Sequence, residues 1–128
     1  MANELSYKAS LVWGGQASEA LTAYTAVAID YTTSALSYVA SAGDRADGIV
    51  IANIASGEDA QVIIEGIVPA KIGTASGVAV GDLLMSGTNG TLVEATSTNV
   101  AIAQALQAPS ADGDLILVRL IPAYTVPA

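Results

Sequence analysis

Short alternating runs set between turn residues constrain this chain most. Turn signals stand at Gly14-Gly15, Gly43-Asp44, Ser56-Gly57, Gly73, Gly81-Asp82, Asn89-Gly90 and Asp112-Gly113. Such close punctuation is the mark of an all-β sandwich or barrel, where turns recur about every 8–12 residues. Between the turns, apolar residues follow period two. In "AQVIIEGIV", Ala60, Val62, Ile64 and Val68 are expected on one face and Gln61, Ile63, Glu65 and Ile67 on the other. The pattern predicts strands near 60–68, 83–85, 91–95, 100–106 and 115–121. "SGTNG" is expected to form a hairpin turn, because Asn-Gly tolerates positive φ. Pro69 and Pro122 are read as strand ends, where a missing N–H costs the ladder nothing. "QASEALTAYTAVA" is the one helical candidate, but its Thr and β-branched residues favour a strand. No repeat of fixed period and no low-complexity stretch is visible.

Composition narrows the function classes. The chain is 52% hydrophobic and 12% charged, with no Phe and a single Trp, so its core is built from small and β-branched side chains. A chain of 128 residues is expected to be one domain able to build a core without staples. With no cysteine it has neither disulfide framework nor thiolate chemistry, and with no histidine it lacks the commonest general base and metal ligand. Net charge is −8, and the four cations Lys8, Arg45, Lys71 and Arg119 are scattered. That disfavours nucleic acid and anionic membranes as partners. The start, "MANELSYKAS", lacks the pattern of a signal peptide, which predicts a soluble protein made in the cytoplasm.

Candidate chemistry is sparse. The clusters Asp44-Arg45-Ala46-Asp47, Glu58-Asp59 and Asp112-Gly113-Asp114 offer oxygen ligands, yet none has the spacing of a calcium loop and each falls on a turn. They are read as turn residues whose carboxylates bond nearby backbone N–H groups, typically two residues on. No catalytic triad, Ser-x-x-Lys context, phosphate-cradling glycine pattern, cofactor site or metal site is assigned. The chain is read as not an enzyme.

The termini carry the interaction candidates. In "ELSYKASLVW", Leu5, Tyr7, Ala9, Leu11 and Trp13 share one face of an extended segment, and Gly14-Gly15 follows. Two readings stand: a first strand of the chain's own core, or an arm that adds to a partner's sheet edge. On the second reading, residues 1–15 are an N-terminal arm and 16–128 a single β-rich body. The expected contacts are Leu5, Tyr7, Leu11, Val12 and Trp13, joined by Tyr124 and Val126 from the tail "PAYTVPA", a segment expected to be ordered only against a neighbour.

The order of "GDRADGIVIANIASGEDAQVIIEGIVPAK", "GVAVGDLL", "NGTLVEA", "VAIAQAL" and "DGDLILVRLIP" resembles that of the phage capsid cement, or head decoration, proteins over about residues 43–122. One departure is Ile102-Ala103-Gln104-Ala105-Leu106, which lacks the family's usual glycine. The resemblance implies a small β-barrel or β-tulip domain with an extended N-terminal arm. It further implies a virion protein on the outer capsid surface that clamps neighbouring major capsid proteins. A homotrimer at three-fold and quasi-three-fold positions is part of the same expectation. The alternative is a carbohydrate- or ligand-binding β-domain of a virion surface, tail or baseplate component.

Overall fold

The computed structural model describes the backbone of residues 8–128 and the side chains from Trp13 onward. Nine strands follow in order: β1 (Lys8–Ala17), β2 (Thr25–Asp30), β3 (Ala35–Ser37), β4 (Gly48–Val50), β5 (Asp59–Lys71), β6 (Leu83–Ser86), β7 (Leu92–Glu94), β8 (Val100–Ala105) and β9 (Leu115–Thr125). The described residues contain no helix. The fold is all-β, and every predicted strand is present. The alanine-rich stretch is not a helix: it leaves β1 at Ala17, runs through bends and a turn over residues 18–24 with Leu21 bridging Ile54, and enters β2 at Thr25.

The strands pair in the order β1-β3-β2-β4-β5-β9-β8-β6-β7, and β5 also pairs back to β1. That return closes β1, β3, β2, β4 and β5 into a five-stranded barrel. β5 is long enough, at 13 residues, to leave the barrel and serve as the first strand of a second sheet with β9, β8, β6 and β7. A parallel bridge between Ile72 and Leu92 draws the far edge of this sheet towards the end of β5.

Two cores result. Leu21, Val27, Ile29, Leu36, Val50 and Val62 fill the barrel. Ile49, Ile63, Val68, Ile72, Leu84 and Val118 belong to the larger core beside it. Adjacent residues of β2 and β4 are buried on opposite sides: Ala26 and Ile49 face the larger core, Val27 and Val50 the barrel. These strands form a wall with no solvent face, which demands small side chains and close backbone approach. Gly48 shows the tolerance, since a Cβ there would lie 2.4 Å from the Ile63 carbonyl oxygen.

Three local expectations need correction. Alternation in β5 does not run unbroken: Val62 faces the barrel core, whereas Val68 joins the same core as Ile63. Gly66, at φ 126°, lies between them and lets the strand change face as it passes from one core to the other. Pro69 is inside β5 rather than at its end, opposite Leu117. Lys71, two residues on, turns its N–H to Tyr24 O at 2.8 Å instead of to β9, and Pro69 shares that direction, so the ladder with β9 loses nothing. Pro122 is likewise within β9, where the register with β8 slips between Ala101 and Ala103. The Asn89-Gly90 hairpin does form. Gly90 alone of the pair has positive φ, and Gly90 N–H donates to Gly87 O, giving a type I turn with a glycine bulge.

Candidate functional site

Several of the acidic residues fix bends. Four turns share one form, with a glycine at φ 86–94° followed by an acid: Gly43-Asp44, Gly57-Glu58, Gly81-Asp82 and Gly113-Asp114. In each, the acid's N–H donates to the carbonyl three residues back while its carboxylate accepts the N–H of that same residue. The carboxylate bonds are Ser41 N to Asp44 at 3.1 Å, Ala55 N to Glu58 at 3.0 Å, Ala79 N to Asp82 at 2.9 Å and Ala111 N to Asp114 at 3.0 Å. The side chain thus reaches three residues back rather than two residues on. Asp112 adds a longer tie, accepting from Ala75 N at 2.8 Å. These carboxylates can fix the ends of strands. Among the described residues no three acids converge as a metal cage would require.

The terminal candidates are placed as follows. Leu5 and Tyr7 lie outside the described residues. Leu11 and Val12 belong to β1, in register with Glu65 and Ile63 of β5. Trp13 pairs with Val62 and packs half-buried against the barrel core, its ring edge-on to Tyr31 with centroids 5.6 Å apart. Tyr124 is 46% exposed near the end of β9. Val126 is held by the chain itself, its N–H donating to Asn99 O and its carbonyl accepting from Thr98 N. The tail is therefore ordered by its own neighbours, a correction to the expectation from sequence.

Sequence reading missed the cluster beside Trp13. Tyr31 is exposed at the end of β2, and its hydroxyl donates to Asp47 Oδ1 at 3.1 Å. Asp47 also accepts from Ile29 N at 2.8 Å and pairs with Arg45 at 3.5 Å. The Tyr31 phenol is pushed above its ordinary value, first by lost hydration and then by the neighbouring Asp47 carboxylate, with Arg45 opposing. A small groove of about 180 Å³ separates this cluster from Ile121, Pro122 and Ala123 of β9. A wider open groove of about 860 Å³ borders Gly14, Gln16, Ser34, Asp59 and Gln61, with no aromatic side chain in its lining. The only sequence signal for the Tyr31 cluster was an aromatic following a short apolar run.

What the surface offers is contact: an aromatic cluster beside one groove, a wider groove of mixed polar and apolar lining, and strands whose edges are incompletely used. β1 pairs with β5 from Lys8 to Gln16, but its other neighbour, β3, takes only Gln16 and Ala17. The family model described as phage cement protein matches residues 16–120. The chain belongs to the phage cement protein family. It is a structural component of a phage virion. Among solved structures it is similar to the head fiber gp8.5 N base of bacteriophage phi29, with a TM-score of 0.69 and 19% identity. The alignment covers 87% of this chain and 93% of that one, and at such identity the fold is what is shared. No curated protein sequence matches this cement protein.

Proposed function

We propose that this cement protein sits on the outer surface of an icosahedral phage head and clamps neighbouring major capsid proteins. The reading rests on the family match across residues 16–120. Its role is mechanical: a rigid, disulfide-free body presents contacts, and a homotrimer at three-fold and quasi-three-fold positions multiplies them through effective concentration. Contact residues come from both termini. From the N-terminal segment they are Leu5, Tyr7, Leu11, Val12 and Trp13, with the edge of β1 left by β3 available to a capsid strand. From the C-terminal side they are Tyr124 and Val126. The chain's acidity suits a site on the outer surface, away from packaged DNA.

Purified undecorated heads from the encoding phage provide the test. Wild-type chain is expected to bind them at fixed stoichiometry and to raise their resistance to heat. Tyr124→Ala is expected to weaken binding about tenfold with unchanged melting, because an exposed aromatic contributes to an interface but little to its own fold. Failure of wild-type chain to bind heads would reject the reading.

A further inference from the structure

The outer face of the second sheet was not among the candidates from sequence, because no single strand displays it. Cross-strand partners share a face, so the register defines its rows. Ile67, Arg119, Gln104 and Leu83 form one row across β5, β9, β8 and β6. Pro69 and Leu117 form the next, extended by Leu106, whose N–H donates to Leu117 O. Lys71 and Leu115 form the third. The opposite face of the same strands is core, with Val68, Ala70, Ala105, Ile116 and Val118 all buried.

This outward face is apolar where water should favour polar residues. Leu115 is 49% exposed and Leu106 37%, and Val80, 64% exposed, sits in the turn whose Gly81 N–H bonds Ala105 O beside Leu106. A contiguous exposed apolar patch of this kind marks a contact surface. Its charge is as unusual as its polarity. Two of the chain's four cations, Lys71 and Arg119, stand in its rows and no carboxylate does, in a chain of net charge −8. Among the described residues neither cation makes an ion pair, and the Arg119 guanidinium is oriented by Gln104 Oε1.

We infer that this face is a second capsid-docking surface, and that it seats on an apolar patch of the major capsid protein carrying carboxylates. The inference rests on the proposed function above. Charge complementarity selects the occupant. A second copy meeting face to face would set Lys71 and Arg119 against themselves, and two cations are too few for a nucleic acid. An acidic, partly apolar protein surface satisfies both the leucines and the guanidinium.

The experiment compares wild-type chain, Leu115→Glu, Arg119→Glu and the double variant Lys71→Glu/Arg119→Glu for binding to undecorated heads, melting temperature and mass in solution. The expected result is a loss of at least about tenfold in head affinity for each single variant, more for the double, with melting and mass unchanged. Arg119→Lys is expected to keep most of the binding, and the salt dependence of wild-type binding to flatten in Arg119→Glu. Head binding equal to wild type in all variants overturns the inference. So does a change of mass in solution, which would assign the face to contacts between copies. Wild-type chain that fails to bind heads brings down the proposed function and this inference together, and that outcome is read from the wild-type arm alone.

Discussion

Trp13 shows how much one side chain can do in a protein short of aromatics. It packs on the barrel core and against Tyr31, and its indole Nε1 is buried with no acceptor among the described residues. An unpaired buried donor costs about 1–3 kcal/mol, so the ring is retained for its bulk and not for its N–H. Trp13→Phe is therefore expected to change stability by less than about 1 kcal/mol, because relief of the unpaired donor offsets the smaller ring. Trp13→Ala removes the packing without compensation and is expected to cost about 2–4 kcal/mol. Urea unfolding of both variants checks the difference. A Phe variant as unstable as the Ala variant would mean that the indole N–H finds a partner after all.

At the scale of the strand, the controlling feature is the wall between the two cores. Gly48 of β4 passes so close to β5 that an added Cβ would meet Ile63 O at 2.4 Å and Val62 Cγ1 at 2.5 Å. Backbone cannot yield there without opening β4 from β5, so Gly48→Ala is expected to cost about 3 kcal/mol, at the upper end of single substitutions. Gly113→Ala has open space around its Cβ and bears only the positive-φ penalty of about 1–2 kcal/mol. Equal melting temperatures for the two variants would contradict the tight-wall account. The same wall marks where sequence stopped being informative. The second half of β5 and β9 were legible because Val68, Ala70, Ile116, Val118 and Leu120 are core while the residues between them are not, which writes period two into the residues. β2 and β4 are apolar on both faces, so "TAVAID" and "GIV" do not alternate, and Gly66 resets the phase of β5 by a rule that only the second core explains. The return of β5 to β1 and the parallel pairing of β1 with β3 join residues far apart in the chain, beyond the reach of local pattern. The candidate surfaces follow the same division. Tyr124 was visible as an aromatic near a terminus. The face holding Leu106, Leu115 and Lys71 needed the cross-strand register before its members could be seen together.

Whether the whole molecule behaves as one body or two follows from that shared wall. The barrel and the second sheet each have a core, and a molecule with two cores can in principle lose them separately. Here β2, β4 and β5 belong to both. Loss of the larger core exposes Ala26, Ile49 and Ile63 on strands whose other sides hold Val27, Val50 and Val62 in the barrel. Six buried residues on three strands cannot be solvated on one side while staying packed on the other without a large exposed apolar area, at about 25 cal/mol per Å². Each core therefore stabilises the other, and unfolding is expected to be a single transition. Trp13 provides a local probe, since its fluorescence reports the barrel alone, while far-UV circular dichroism reports all nine strands. The two denaturation curves are expected to superimpose, with one midpoint and one slope. A fluorescence transition displaced from the dichroism curve would show the barrel unfolding by itself. A cement protein that opens in parts would yield under load at its weaker part, whereas a body joined through a common wall transmits strain between its contacts until the whole fold gives way.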